Sequence, residues 1–159
     1  MSEIRAQLEP SYNILAQGIR DLSFENHLGF GVVLEEQPEI DIDIQANGKK
    51  IDDETYEVVL MINVEAKQEE KTLFIAELEY MGLCQVRHVP EEVMPSLLMI
   101  QTPSLLFPFA RQIIADVTSN AGFPPLFLQP VDFAALFHSQ AQEGETQTID
   151  ENTGVAGTA

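Results

Sequence analysis

The sequence has few basic residues, and this scarcity excludes several classes of partner. Eight Lys and Arg residues stand against 26 Asp and Glu residues, which gives a formal net charge of −18 at pH 7. Because affinity for nucleic acid comes mainly from cations that neutralise phosphates, nucleic-acid binding is not expected. Anionic lipid surfaces are excluded for the same reason. A basic partner, or one with a basic segment, would instead be steered towards this chain.

The chain is equally poor in cysteine and in long apolar runs. Its one cysteine, Cys84, cannot form a disulfide within the chain, which fits a reducing compartment, and we interpret it as a small packed residue. No apolar run reaches the ~18 residues that a membrane-spanning helix needs. The start, MSEIRAQLEPSYNI, contains acids and no apolar h-region, so no signal peptide is expected. These absences predict a cytosolic protein with no direct membrane insertion.

Patterns typical of catalysis and of metal binding are missing as well. The sequence contains no G-x-S-x-G, no P-loop and no dinucleotide fingerprint. His27, His88 and His138 are far apart and lack acidic or cysteine partners at metal spacing. We therefore expect no enzyme activity, no metal and no cofactor.

Alternation of apolar and polar residues predicts four β-strands joined by simple hairpins. The expected turns are the Asn47-Gly48 pair and the charged stretch Lys67–Lys71. Gly82 is expected to break or bulge the last strand. The predicted strands are residues 12–25 with an interruption at Gly18, 39–45, 54–66 and 72–89.

The longest helical pattern lies within residues 102–129. Thr102 is expected to cap this helix and Gly122 to end it, while Pro108 marks either a bend or a start near Leu105. A shorter helix is expected over residues 90–101, and another is capped by Asp132. The apolar face predicted for the long helix, from three- and four-residue spacing, is Leu106, Phe109, Ala110, Ile113 and Val117, and Phe107 and Ile114 widen it.

Strands followed by helices predict an α+β fold, in which a four-stranded antiparallel sheet has a long helix and shorter helices packed on one face. We expect a flexible N-terminus at residues 1–10, one domain at 11–140, and a disordered acidic tail at 141–159. Apolar residues on the opposite sheet face predict subunit contacts or a binding surface there, and they are Val59, Met61, Leu73 and Ile75.

Six of the nine phenylalanines lie in one short region with Pro124, Pro125 and Pro130, and they are Phe107, Phe109, Phe123, Phe127, Phe133 and Phe137. These prolines predict an extended apolar connection between two helices, which makes one wall of a groove. At these residues the chain resembles the SecB family of bacterial protein-export chaperones, from about residue 12 to 140. The resemblance is carried by DLSFE (21–25), QPEIDIDI (37–44), LFPFAR (106–111), GFPPL (122–126) and PVDFAALF (130–137).

The resemblance implies an ATP-independent molecular chaperone that binds non-native precursor proteins in the bacterial cytosol. Such a chaperone keeps these unfolded preproteins translocation-competent and delivers them to the SecA motor ATPase. It also implies a homotetramer, a dimer of dimers, with the long helices packed between two sheets. The family docks the motor's basic, zinc-bearing tail on an acidic outer sheet face, and the matching residues here are Asp21, Glu25, Ile75 and Glu77.

The resemblance further implies grooves that bind the non-native protein, hereafter the client, through aromatic and aliphatic side chains. One departure from the family is Glu36, where many members have an aromatic residue immediately before the QPE sequence. The residues that we assign to the client-binding groove are Ile40, Ile42, Ile44, Tyr56, Phe107, Phe109, Phe123, Leu126 and Phe127.

Two other functions remain compatible with the sequence. The same fold would serve a partner-specific adaptor or a chaperone dedicated to one client, and a panel of unrelated unfolded proteins separates this alternative from a general chaperone. A small-molecule enzyme with a pocket between sheet and helices is disfavoured because no nucleophile, base or metal cluster stands out. For the carboxylates of the outer sheet face, the alternative to docking is an ordinary solvated surface.

Overall fold

The structure, a computed structural model, describes residues 9–30 and 34–141. Four strands form one antiparallel sheet: β1 (Ser11–Asn26), β2 (Glu39–Lys50), β3 (Thr55–Gln68) and β4 (Lys71–Arg87). A long helix, α1 (Met94–Asn120), packs on one face, and a shorter helix, α2, follows at residues 133–141. The predicted α+β fold is confirmed. The flexibility expected before residue 9 and the acidic tail expected after residue 141 lie outside the described residues.

The strand order across the sheet is β1-β4-β3-β2, so the predicted series of simple hairpins is wrong. Only β2–β3 and β3–β4 are neighbours in both sequence and space, whereas β1 and β2 lie at opposite edges. The connection between them, residues 27–38, must cross from one edge of the sheet to the other; we call it the crossover. Buried residues recur along the central strands β3 and β4, whereas β1 has none and β2 has one, which suits their places in the middle and at the edges of the sheet.

The Asn47-Gly48 pair is not a turn. Both residues continue β2 and pair with β3, and a Cβ at Gly48 would lie 3.6 Å from the Met99 sulfur of α1. The chain turns later, where Asp52 Oδ1 accepts hydrogen bonds from the backbone N–H groups of Glu54 and Thr55 at 3.0 and 2.8 Å. These bonds, led by the one from Glu54, lower the pKa of Asp52.

Gly82 neither breaks nor bulges β4, which pairs regularly through this position on both sides. A Cβ at Gly82 would lie 3.0 Å from Leu106 Cδ2, so the missing side chain lets α1 approach the centre of the sheet. The predicted interruption of β1 at Gly18 is also wrong. The two irregularities of β1 fall on either side of it, at Leu15 and at Arg20.

Helix α1 begins at Met94 and not at Thr102, so the helix predicted over residues 90–101 and the long helix are one. They join through a π-helical turn, Leu97–Gln101, in which the N–H of Thr102 reaches the carbonyl of Leu97. Thr102 is therefore interior and caps nothing. Pro108 lies inside α1 on its exposed side and does not end the helix.

The buried face of α1 is the side of the predicted apolar stripe that carries Phe107 and Ile114. Phe109 is 52% exposed, whereas Phe107 and Ile114 are buried, because the helix settles with Leu106 against Gly82. By length and composition α1 could cross a membrane, but its buried face against the sheet accounts for its apolar character. The buried residues of α1 are Thr102, Pro103, Leu106, Phe107, Ala110, Ile114, Ala115 and Thr118.

The predicted helix end at Gly122 and the predicted helix cap at Asp132 are both confirmed. Gly122 has a φ of +91°, and the N–H of Phe123 bonds to the carbonyl of Thr118 at 3.1 Å, which is the Schellman pattern of a glycine-terminated helix. Asp132 caps α2, since its Oδ1 accepts a hydrogen bond from the N–H of Ala135 at 3.0 Å.

A buried polar cluster ties the edge strand β1 to the π-helical turn. Thr102 Oγ1 donates to the carbonyl of Leu97 at 2.8 Å and accepts from the Tyr12 hydroxyl at 2.6 Å. The Cys84 sulfur lies 3.8 Å from the same hydroxyl, and Cys84 is buried as expected. Burial is the main cause that raises the pKa of Tyr12 to about 12, and burial also raises the pKa of the Cys84 thiol.

Substitution of Gly82 by valine is expected to destabilise the fold. The added atoms would meet the fully buried Leu106, and overpacking of this kind costs ~1–3 kcal/mol. Gly18→Val is the matched control, because a Cβ at Gly18 meets nothing within 4 Å on the adjacent strand. Urea unfolding measures both variants, and equal stability of the two would contradict the close approach described here.

The Tyr12 hydroxyl makes stability depend on pH above the ordinary tyrosine pKa of ~10. Because its pKa in the folded state is about 12, the unfolded state loses the proton first as pH rises. The stabilisation that the protonated Tyr12 hydroxyl gives to the folded state is full below ~pH 10 and is lost as pH rises through ~12. Tyr12→Phe should lower the free energy of unfolding at pH 8 by ~0.5–1.5 kcal/mol and flatten the alkaline decline. Parallel pH profiles for the two proteins, measured by urea unfolding, would argue against this role.

Candidate functional site

An aromatic cluster forms where α1 ends against the sheet. Gly122 turns the chain, and the Phe123 ring then lies 4.8 Å from the Phe74 ring and 6.4 Å from the Phe24 ring, centroid to centroid. Phe24 and Phe74 belong to neighbouring strands and stack at 5.3 Å on the helix-facing side of the sheet. The cluster fixes the first residue of the segment that follows α1.

Residues 123–130, here called the extended segment, have no regular secondary structure. The N–H of Leu126 donates to Thr118 Oγ1 of α1 at 2.9 Å. Further along, Arg111 Nε of α1 donates to the carbonyl of Leu128 at 2.7 Å, and the Leu128 side chain is buried. The connection between the two helices thus has no regular secondary structure, and α1 holds it by two side chains.

A recess of about 270 Å³ lies between the extended segment, the start of β2 and the crossover. We call it the apolar recess. It brings together Ile40, Phe123 and Leu126 of the predicted groove. The residues that line it are Leu34, Gln37, Pro38, Ile40, Phe74, Phe123, Pro124, Pro125 and Leu126.

A second recess, of about 290 Å³, lies beside the first and shares Leu34, Phe123 and Pro124 with it. Phe30 of the crossover borders this second recess, with a ring atom 3.7 Å from the place that a Cβ at Gly122 would take. The two recesses therefore form neighbouring depressions on either side of one apolar wall.

Three aromatic residues of the predicted groove lie elsewhere. Phe107 is buried and packs edge-on against Phe133 at 5.9 Å, which makes it a core residue of the single chain. Phe109 stacks on Tyr80 at 6.3 Å on the exposed side of α1. Tyr56 lies about 33 Å along β3 from the residue that pairs with Ile40, at ~3.3 Å per residue. The structure does not gather these three around the apolar recess.

The remaining predicted groove residues do not line the apolar recess. Ile44 is half-buried and packs against the core, while Ile42 is 43% exposed on the edge strand β2. Phe127 is 52% exposed, and the guanidinium carbon of Arg111 lies 5.3 Å from its ring centroid, a cation–π geometry.

Sequence reasoning missed the contribution of the crossover. Leu34 and Pro38 line the apolar recess, although neither belongs to a strand or a helix. The available signal was the run of apolar residues from Phe30 to Leu34 in the sequence of a long connection, since long loops in compact domains often carry function. Pro38 belongs to the QPE sequence, and the exposed Glu36 just before it is not among the lining residues.

The four residues predicted for motor docking share the sheet face opposite α1. Glu25 pairs with Ile75 across β1 and β4, and Asp21 and Glu77 occupy neighbouring positions on the same face. Asp21, Glu25 and Glu77 are exposed, and Ile75 is half-buried. The structure therefore brings these four side chains into one patch of two adjacent strands.

The acidic patch continues onto β3 and β2. A shallow recess of about 390 Å³ on this side is bordered by Asp41, Asp43, Glu65, Ile75 and Glu77. We call the whole region, with Asp21 and Glu25, the acidic face. Cations lie at its borders: Arg20 bonds to Glu57 at 3.0 Å, and Lys67 lies 3.7 Å from Glu65.

The outer sheet face exposes less apolar surface than the sequence predicts. Of the four apolar residues expected there, Val59 and Leu73 are buried, and Met61 and Ile75 are half-buried. Exposed apolar side chains occur instead beside α1, around the middle of β1. Ile19 of β1 pairs with Tyr80 and is 51% exposed, and Phe109 of α1 stacks on Tyr80 nearby.

The described residues offer no obvious centre for chemistry. Within residues 9–30 and 34–141, no group of three or more His, Cys, Asp or Glu side chains is arranged to hold a metal ion. The acidic face and the two apolar recesses thus remain as the candidate functional surfaces, and both are suited to binding.

Comparison with known proteins gives consistent similarities. A sequence profile of the family described as "Preprotein translocase subunit SecB" matches residues 5–144. The chain is 45% identical over 137 residues to protein-export protein SecB of Bartonella quintana, covering 85% of this chain and 87% of that protein. It is 48% identical over 143 residues to protein-export protein SecB of Agrobacterium fabrum, covering 88% and 89%.

A solved structure is similar in fold. A SecB-like chaperone of Mycobacterium tuberculosis, in complex with a ChAD peptide from the HigA1 antitoxin, superposes with a TM-score of 0.58. The match covers 82% of this chain and 91% of that chain at 13% sequence identity. At this identity the likeness concerns the fold alone.

Proposed function

The chain belongs to the SecB family of protein-export chaperones, and we propose that it captures non-native precursor proteins in the cytosol without ATP and delivers them to the SecA motor. Two surfaces on opposite sides of one sheet support this proposal. The apolar recesses suit clients, and the acidic face suits the basic tail of the motor.

The apolar recess is the observation that carries client binding. It is open, apolar and lined by residues from the crossover, β2, β4 and the extended segment. At about 270 Å³ it is smaller than the ~300–1,000 Å³ typical of small-molecule pockets, so it fits single apolar side chains of an extended chain better than a compact ligand. The exposed ring of Phe127 extends the apolar surface beyond the recess.

One recess binds weakly by itself. A fully buried Leu or Phe side chain contributes ~1.5–3 kcal/mol, whereas association costs ~4–15 kcal/mol. Stable capture therefore requires several recesses on one assembly that engage one client chain, which raises the overall affinity without new kinds of contact. The strong negative charge of the chain keeps such exposed apolar surface soluble.

A homotetramer, arranged as a dimer of dimers, would supply these recesses. Exposed apolar residues of the edge strand β1 support it, because Ile19 is exposed on the helix-facing side and Leu15 is exposed at the irregularity nearby. Leu105 and Phe109 add exposed apolar surface on α1. Exposed apolar side chains next to a free strand edge are typical of subunit interfaces.

Motor docking is supported by the charge and continuity of the acidic face. Asp21, Glu25 and Glu77 are exposed on one side of adjacent strands, with Ile75 between them as an apolar contact. A basic tail would gain Coulomb attraction and faster association from such a surface.

A chaperone dedicated to one partner is the second candidate. The SecB-like chaperone of similar fold was solved with a peptide from an antitoxin, so the fold accepts a specific partner segment. Binding measured against a panel of unrelated unfolded proteins separates the candidates, because a dedicated chaperone would retain only its partner.

Light scattering tests the proposed function directly. The purified protein should have the mass of four chains, and it should hold a slow-folding, chemically unfolded protein in a soluble complex without nucleotide. Ile40→Asp, which places a charge in the apolar recess, should weaken client binding by about tenfold or more, since loss of one buried anchor corresponds to ~1.5–3 kcal/mol.

The matched control is Ile51→Asp in the turn after β2, where an exposed isoleucine receives the same charge. It should bind clients like the wild type. A monomeric protein that leaves the client to aggregate would overturn the proposed function, and equal loss in both variants would overturn the role of the recess.

Charge reversal tests the acidic face. Asp21→Lys combined with Glu77→Lys should reduce binding to SecA at low salt by about tenfold, because both contacts become repulsive, and should leave client binding intact. Glu91→Lys combined with Glu92→Lys makes the same change of net charge ahead of α1 and should retain SecA binding. Equal losses in the two double variants would mean that only net charge matters.

A further inference from the structure

The extended segment cannot hold its own shape. Its residues 123–130 make no helix or strand bonds, and Pro124 and Pro125 cannot donate backbone hydrogen bonds. A segment without regular structure needs partners for its buried backbone groups, and here two such partners are side chains of α1. These are Thr118, which accepts from the N–H of Leu126, and Arg111, which donates to the carbonyl of Leu128.

The surroundings of Thr118 orient its hydroxyl oxygen towards the N–H of Leu126. It is fully buried, and its hydroxyl donates to the carbonyls of Ile114 and Ala115 at 2.9 and 3.0 Å, as a threonine inside a helix commonly does. A lone pair of the same oxygen accepts the N–H of Leu126 at 2.9 Å. Valine has nearly the same shape as threonine but lacks the hydroxyl, so it could make none of these hydrogen bonds.

Arg111 makes the second contact from the solvent side of α1. Its Nε lies 2.7 Å from the Leu128 carbonyl, and its guanidinium carbon lies 5.3 Å from the Phe127 ring centroid. None of the ion pairs among the described residues involves Arg111. One side chain therefore fixes both the backbone at Leu128 and the orientation of the exposed Phe127 ring.

We propose that Thr118 and Arg111 are positioning residues for client capture, which hold the extended segment away from the sheet so that the apolar recess stays open before a client arrives. This inference rests on the proposed function. Leu126, whose N–H is held by Thr118, is itself a wall of the recess. A recess that is already open binds a client more tightly, because no binding free energy is lost in ordering the wall of the recess.

The test compares Thr118→Val with Thr118→Ser in the full chain. The probe is a reduced, carboxymethylated polypeptide that stays unfolded, and fluorescence anisotropy gives its dissociation constant. We expect Thr118→Val to weaken binding about five- to tenfold and to speed hydrogen exchange at the Leu126 amide, and Thr118→Ser to stay within about twofold of the wild type.

The two variants separate positioning from general stability, which thermal unfolding reports alongside. Unchanged affinity in Thr118→Val, or equal weakening in both variants, overturns the inference while leaving the proposed function intact. If the wild type itself fails to bind the polypeptide, the proposed function falls as well.

Arg111 provides a second test. Because this residue is exposed, the test does not require substitution of a buried residue. Arg111→Met keeps the aliphatic stem but removes the donor and the cation, and it should weaken client binding about three- to tenfold. Arg111→Lys keeps a cation and a donor and should recover most of that loss. Wild-type affinity in Arg111→Met would overturn the role of this residue.

Discussion

The close approach of α1 to the centre of the sheet is the constraint on which the rest of the structure depends. Leu106 rests closely on β4 because Gly82 has no side chain, and Met99 lies over Gly48 of β2, where a Cβ would be at an ordinary contact distance. These two contacts set the position of α1 across the strands. They also set where its C-terminal end meets Phe24 and Phe74, and hence where the extended segment begins. The apolar recess is a consequence of this placement.

The sequence predicts those features that neighbouring residues determine. Strand faces, the glycine stop at Gly122 and the cap at Asp132 depend on side-chain alternation or on bonds within a few residues, and they are confirmed. The errors arise where distant contacts decide. Asn47-Gly48 has the composition of a turn but serves as flat strand under α1, and spacing alone could not choose between Phe107 and Phe109 as the buried ring.

The candidate site was partly predictable for the same reason. Ile40, Phe123 and Leu126 belong to short motifs and meet in the recess, but Leu34 comes from a crossover whose path depends on the strand order. Strand β4 carries both surfaces, since Phe74 faces the recess while Ile75, the next residue, faces the acidic side. Client and motor surfaces are thus separated by the thickness of one sheet.

The strand order also determines how the chain is made. Ser11 pairs with Arg87 and Asn26 pairs with Phe74, so β1 leaves the ribosome long before its partner exists. At ~5–20 residues per second, the intervening ~50–75 residues take about 2–15 s to synthesise. During that interval the β1 segment is an unpaired, extended stretch with exposed Leu and Ile side chains. Each newly made copy therefore passes through a stage in which it has the chemical character of the chains that its folded form is built to bind.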